Sequence, residues 1–332
     1  MKGNYMRTNG GWADDSVAVV IGALLTFVIV VSLMSAFVLW YVPSNGQTNE
    51  LNYDLQTENS FIQMQNQMGN GTIFPNQFVV QSFTVGIPGT PPFSSNSDTQ
   101  ILFKNSGAYS ANISYGLTVK FDYNGALHVS NIEGKSTSNG QILVDAFTSF
   151  VPPEIYCYQD NTIVERQVGS NFSQIIGALP FEISTTSSGI SLRTSQFSIS
   201  GNNTSYGGFG STIVTMQYSH LNQNNFFKNE NLTVYDPQTG TYTPAVVSAI
   251  SLDYLDYNIT NQGSSAWNST LFTKYAKPGS LTGNKTVGVQ WLFSSYDFKA
   301  EYLNNTFSIE STSSFSLYSA NLDQFTLNLL EL

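Results

Sequence analysis

The chain has 332 residues, of which only 10% are charged, with 12 Lys+Arg against 22 Asp+Glu and a formal net charge of -10. So acidic and base-poor a chain repels phosphates, which excludes nucleic acid as a partner. Its single cysteine, Cys157, excludes an intramolecular disulfide framework. Asn, Gln, Ser, Thr, Gly and Tyr replace the missing charges, so the surface is neutral-polar, and the length leaves room for an anchor plus one large β domain or two ordinary ones.

Residues 16–49 carry no charge, and their densest part, 17–42 ("VAVVIGALLTFVIVVSLMSAFVLWYV"), is long enough as a helix, about 39 Å, to cross a hydrocarbon core of roughly 30 Å. A cleaved secretory signal has a shorter apolar core and a small-residue site after it, whereas this run ends in "LWYVP", with Trp40 and Tyr41 suited to the membrane interface. The run therefore reads as a retained span. Lys2 and Arg7 precede it and the next basic residue is Lys104, which predicts a cytoplasmic leader (1–15), a transmembrane stem (16–42) and an extracellular remainder. Asp14 and Asp15 suit the helix start as caps. The small residues Gly22, Ala23, Ser32, Ser35 and Ala36 permit close packing against a neighbouring helix.

Pro43 and the following "SNG" predict an interruption of the helix outside the bilayer. Beyond it, Leu51, Leu55, Ile62 and Met68 recur at near-helical spacing, which predicts a short amphipathic stalk helix within a linker region spanning 43–72 and ended by "GNGT". From there the period becomes two. The stretches 77–85, 111–123, 189–200, 211–221, 286–298 and 304–319 alternate apolar or aromatic with small polar residues between Gly, Pro, Asn and Ser turns. The fold class is mostly β: the transmembrane and stalk helices, then an antiparallel β-sandwich, one large or two fused, over 73–332, with a possible internal boundary near 177–189.

Ten Asn-x-Ser/Thr sequons, at Asn70, Asn112, Asn171, Asn202, Asn203, Asn231, Asn258, Asn268, Asn284 and Asn304, all fall on the predicted outer side, and about seven would arise by chance. They permit N-glycosylation. Two histidines, His128 and His220, build no zincin, and no Gly-x-Ser-x-Gly elbow is present. "GSLTGNKT" (279–286) has Asn284 where a phosphate loop needs glycine, and reads as a surface turn. The carboxylates Asp253 with Asp256, and Glu154, Asp160 and Glu165, are of the type used by a glycosidase pair or a calcium site, yet lack calcium-loop spacing; scattered acids on β loops are ordinarily solvated or turn-forming. Cys157, between two tyrosines, reads as a strand residue. The chain is thus expected to be non-enzymatic, with no catalytic residue, metal or cofactor.

With these elements in place, the chain resembles the archaeal type IV pilin-like membrane proteins that carry a large extracellular β domain. The likeness lies in the Val-Ile-Gly near the start of the apolar helix, the Val-Pro after it and the Asn/Gln-rich stretch up to "QMQNQM", about 55 residues in all, and continues more loosely around "FVPPEIYCYQDNTIVERQ". The resemblance implies a leader cut by a prepilin peptidase and stems packed against other pilin-like subunits in a pilus-like assembly. The leader differs from the prepilin pattern, because "RTNGGWADDS" separates Arg7 from the stem; Gly10, Gly11 and Ala13 mark where a cut would fall. Two readings follow: a structural or minor subunit of a type IV pilus-like cell-surface assembly, or a monomeric anchored module that binds glycan, solute or a partner protein through its β loops. Sparse charge also suits an acidic exterior, where protonating carboxylates removes few charges.

Overall fold

The computed structural model describes residues 11–71, 77–91, 94–106, 110–169, 173–186, 189–236, 240–259, 288–292, 298–303 and 306–332. One helix, α1 (Gly11–Gly71), takes up 61 residues, about 90 Å at 1.5 Å per residue. It runs through Pro43 without the interruption expected there. A proline inside a helix removes one backbone donor and crowds the carbonyl four residues back, but tertiary docking opposes a break. Asn45 Nδ2 donates to Thr90 Oγ1 (2.9 Å), Asn49 Nδ2 donates to the Pro88 carbonyl (2.8 Å), and a Cβ at Gly46 would overlap the Phe150 ring. The residues that read as helix breakers are the ones that seat the helix on the head.

Among the described residues seventeen strands follow: β1 (Phe78–Val85), β2 (Thr99–Lys104), β3 (Ser110–Tyr123), β4 (Ala126–Asn139), β5 (Gln141–Ala146), β6 (Glu154–Gln159), β7 (Thr162–Gln167), β8 (Ser173–Ile176) and β9 (Phe181–Thr186). They continue as β10 (Gly189–Ser200), β11 (Thr204–Gly208), β12 (Gly210–Phe227), β13 (Asn231–Asp236), β14 (Thr241–Ile259), β15 (Gly288–Leu292), β16 (Phe298–Leu303) and β17 (Thr306–Glu331). The chain is mostly β behind one long N-terminal helix, as its alternating stretches require.

A six-stranded sheet has the order β11-β2-β5-β6-β7-β8, and an eleven-stranded sheet is built on the path β1-β12-β17-β14-β3-β4. The 26-residue β17 organises the larger sheet: its first half lies between β14 and β16, its second between β12 and β10. The β10–β17 pair is parallel, in sheets otherwise antiparallel. Residues 177–180 carry the chain from β8 in one sheet to β9 in the other.

Alternation along β10 and β17 sends side chains to two cores on opposite faces. Leu192 and Leu322 join Ile113, Leu117, Leu252 and Leu255 in one. Phe197 and Phe325, stacked with centroids 4.7 Å apart, join Phe83, Phe103, Ile142 and Tyr158 in the other, together with Tyr53, Phe61, Met64 and Met68 of α1. The second half of the helix is therefore part of a core rather than a free stalk. Its buried face runs through Glu50, Tyr53, Asp54, Thr57, Phe61, Met64, Gln65 and Met68, while Leu51 and Leu55 are exposed.

Candidate functional site

The first half of α1 stands clear of the head. Seventeen large apolar side chains between Val17 and Tyr41 are exposed, and Val42 is the first large apolar residue to be buried among the described side chains of the helix. Each such side chain left in water forgoes about 1.5–3 kcal/mol, so the surface as a whole demands tens of kcal/mol of cover. It is one helix long and apolar enough to cross a membrane. The five small residues singled out for packing lie on it. Gly22 has open space around it, and Ser32 Oγ donates to the Val28 carbonyl (2.7 Å), hiding its polarity within the helix. Gly11 and Ala13 fall in the first turns of α1, and Gly10 lies outside the described residues.

Where the helix enters the head, the Glu50 carboxylate is 2% exposed and accepts three amides: Ser149 to Oε1 (2.7 Å), Phe150 and Val151 to Oε2 (2.8 Å each). One turn on, Asp54 faces Glu154 of β6 and Glu165 of β7. Burial, then the charges of Glu154, Glu50 and Glu165, push the Asp54 carboxyl up to about 7. Burial and Glu165 likewise raise Glu154, to which the Tyr156 hydroxyl donates (3.2 Å). Gln174 Nε2 donates to Glu165 (2.5 Å). The junction is thus a row of carboxylates in which Glu50, Glu154 and Glu165 accept from amides or a hydroxyl while Asp54 Oδ1 is buried without a partner, with none of them in a metal-binding group among the described residues.

At the far end of the helix, Gln65 clamps the β6–β7 hairpin. Its Nε2 donates to the Asn161 carbonyl (2.6 Å) and its Oε1 accepts the Ala178 amide (3.1 Å). The hairpin tip has φ of 49° at Asp160 and 60° at Asn161, the pattern of a two-residue turn that Asp and Asn tolerate, and it is buried between the two cores. Asp160 accepts the Tyr257 hydroxyl (3.0 Å), Gln196 Nε2 (3.4 Å) and the Phe197 amide (3.3 Å). Burial still outweighs these bonds and pushes its carboxyl up to about 6.

The remaining candidates disperse. Asp160 is remote in role from Glu154 and Glu165, which belong to the helix junction; Asp253 is exposed and accepts the Thr118 hydroxyl (2.8 Å). His128 stacks on Phe121 at the end of the β3–β4 hairpin. The Cys157 thiol donates to Gln141 Oε1 (3.2 Å), and burial pushes it up to about 12, a thiol rather than a nucleophilic thiolate. Of the sequons, Asn202, Asn203 and Asn231 present exposed side chains, whereas Asn112 and Asn258 are half-buried cross-strand partners. Asn70 lies in the last turn of α1; Asn171, Asn268, Asn284, Asn304 and the segment 279–286 lie outside the described residues.

The apolar periodicity of the stalk pointed to Leu51 and Leu55 and missed Glu50 and Gln65. The available signal was the polar set at 50, 54 and 65, which shares a helical face with Tyr53, Phe61, Met64 and Met68. Comparison of the chain with protein-family models, with curated proteins and with solved structures returns no match.

Proposed function

We propose that this chain is a non-enzymatic, membrane-anchored cell-surface protein of the archaeal type IV pilin-like kind, a structural or minor subunit of a pilus-like assembly. The observation that supports it is the single continuous helix: a bare apolar half running without a break into a half built into the core of a β head. Such a helix transmits the position of the head to the stem, which a filament subunit needs and a flexible tether would not supply. The stem is the surface that meets the lipid bilayer and, at Gly22, Ala23, Ser32, Ser35 and Ala36, the stems of other subunits. The basic leader stays on the cytoplasmic side, where a prepilin peptidase acts near Gly10, Gly11 or Ala13, and the β head lies outside.

Intact-mass and N-terminal analysis of the protein from native membranes tests this reading. A start at Gly11, Trp12 or Asp14, together with loss of a surface filament on gene deletion, is the expected outcome. An intact Met1 with filaments unaffected would leave an ordinary anchored module instead.

A further inference from the structure

A cleft of about 380 Å³ opens between the β3–β4 hairpin and the strip formed by β10, β17 and β12, within the roughly 300–1,000 Å³ of small-molecule sites. No residue of α1 lines it, so it is independent of the stem and of whether the stem polymerises. Strand alternation decides which side chains face in. On β4, Ile132, Gly134 and Ser136 face inward, while Glu133 and Lys135 between them are exposed and reach only the rim. On β17, Leu322 and Gln324 face in; Asp323 between them also borders the cleft, with its carboxylate directed by strand alternation toward Arg193 and Gln223. The inward set among the described residues therefore carries no charge.

That set is rich in neutral hydrogen-bonding groups: Ser136, Thr194, Gln196, Asn222 and Asn224. The rings of Tyr115 and Phe226 add apolar walls. Tyr115 can lie across β4 only because residue 134 is glycine, since a Cβ there would overlap the ring. Gln196 is 1% exposed, and its Nε2 is tied to Asp160 Oδ2 (3.4 Å), which leaves Oε1 buried and without a protein partner. Ser136 Oγ is likewise buried and unpartnered. Oε1 can only accept a hydrogen bond, whereas the serine hydroxyl can donate or accept one. A ligand that satisfies both brings at least one hydrogen-bond donor, as a sugar hydroxyl does, and one without charge suits an inward set that carries none, Glu133 and Lys135 standing at the rim.

We propose that this cleft binds a neutral, polyhydroxylated ligand, the terminal sugar of a glycan, with Gln196 Oε1 accepting from a ring hydroxyl and Ser136 and Asn224 completing its hydrogen bonds. Because the site is built to bond hydroxyls, an analogue lacking the recognised one leaves Gln196 or Ser136 unpaired and is rejected.

The test is saturation-transfer NMR and calorimetry on the full chain in lipid nanodiscs, with D-glucose, D-galactose, D-mannose and N-acetyl-D-glucosamine as probes and D-glucuronate as the charged control. The expected result is saturable binding of at least one neutral sugar with a dissociation constant of about 1 mM or tighter, weakened at least about tenfold in both Ser136→Val and Asn224→Ala. Asn224 is exposed, so its variant keeps the fold even if the buried one does not. No saturable binding of any neutral sugar, unchanged binding in folded Asn224→Ala, or a preference for glucuronate would each overturn the proposal.

Discussion

The two halves of α1 reverse the usual relation between polarity and burial. Between Val17 and Tyr41 the side chains are almost all apolar and exposed; beyond Val42 the buried face includes Glu50, Asp54, Thr57 and Gln65. The difference lies in what covers each half. Among the described residues nothing packs against the first half, and the proposed function gives it a partner outside the chain. The second half is fixed by directional bonds, with Glu50 on three amides and Gln65 on the hairpin at Asn161, and these set where along the head the helix sits. Hydrophobic contact alone tolerates sliding; a carboxylate in a nest of amides does not.

The strongest way to break the buried half is Phe61→Ala. Phe61 is fully buried, edge-on to Phe83 at 5.0 Å and stacked with Tyr156 at 6.4 Å, and the truncation should cost about 3–5 kcal/mol in chemical denaturation of the head. Glu50→Ala comes next, at about 3 kcal/mol, because three inward amides lose a charged acceptor; Glu50→Gln, which keeps one acceptor oxygen, should cost less. Gly46→Ala forces a methyl into the Phe150 ring and should cost about 1–3 kcal/mol by overpacking. If thermal unfolding shows Gly46→Ala to be neutral, the helix does not dock at Phe150 as described.

Acid should sharpen the contrast. Asp54, Asp145, Glu154, Asp160 and Asp323 are all raised, each chiefly by burial. A raised carboxyl keeps its proton in the folded chain at pH values where the unfolded chain has released it, so stability rises as pH falls. For Asp54 the gain is complete below its ordinary value of 3.8 and is lost as pH rises through about 7. The unfolding temperature should therefore be higher at pH 4.5 than at pH 7.5, and Asp54→Asn should flatten the upper part of that profile. Greater stability at pH 7.5 would contradict the buried carboxylates, and with them the suitability of this head for an acidic exterior. The smallest effect belongs to Leu55→Ala, within about 0.5 kcal/mol, since Leu55 is 57% exposed despite its place in the apolar pattern.

Several strands were legible in the sequence because one face of each is buried and the other is not: β1 alternates exposed and buried along its whole length, and β3 and β10 nearly so. The six-stranded sheet was harder to read. In β5, "QILVDA", five of six residues are buried, and a strand covered on both faces loses its period-two signature. β4 was hidden for the opposite reason, being polar and largely exposed, its register set by β3 beside it. The parallel β10–β17 pair joins segments more than a hundred residues apart, which no local pattern encodes. The stem could be read outright, but its continuity could not, because Pro43 and Gly46 carry a local breaker signal that contacts at Thr90, Pro88 and Phe150 override. The inward amides of the cleft, at Gln196, Asn222 and Asn224, carry no signal in the sequence, because only the packing of β4 across β10, β17 and β12 encloses them.

The central claim is that the bare half of α1 meets other stems. Its most direct test is oxidative crosslinking in native membranes of chains carrying Gly22→Cys or Ser32→Cys, with Cys157 replaced by serine. The account predicts crosslinked species at stem positions on the packing face and none at Leu55→Cys, which lies beside the head. Monomers alone at every stem position, in membranes where the protein is abundant, would contradict it.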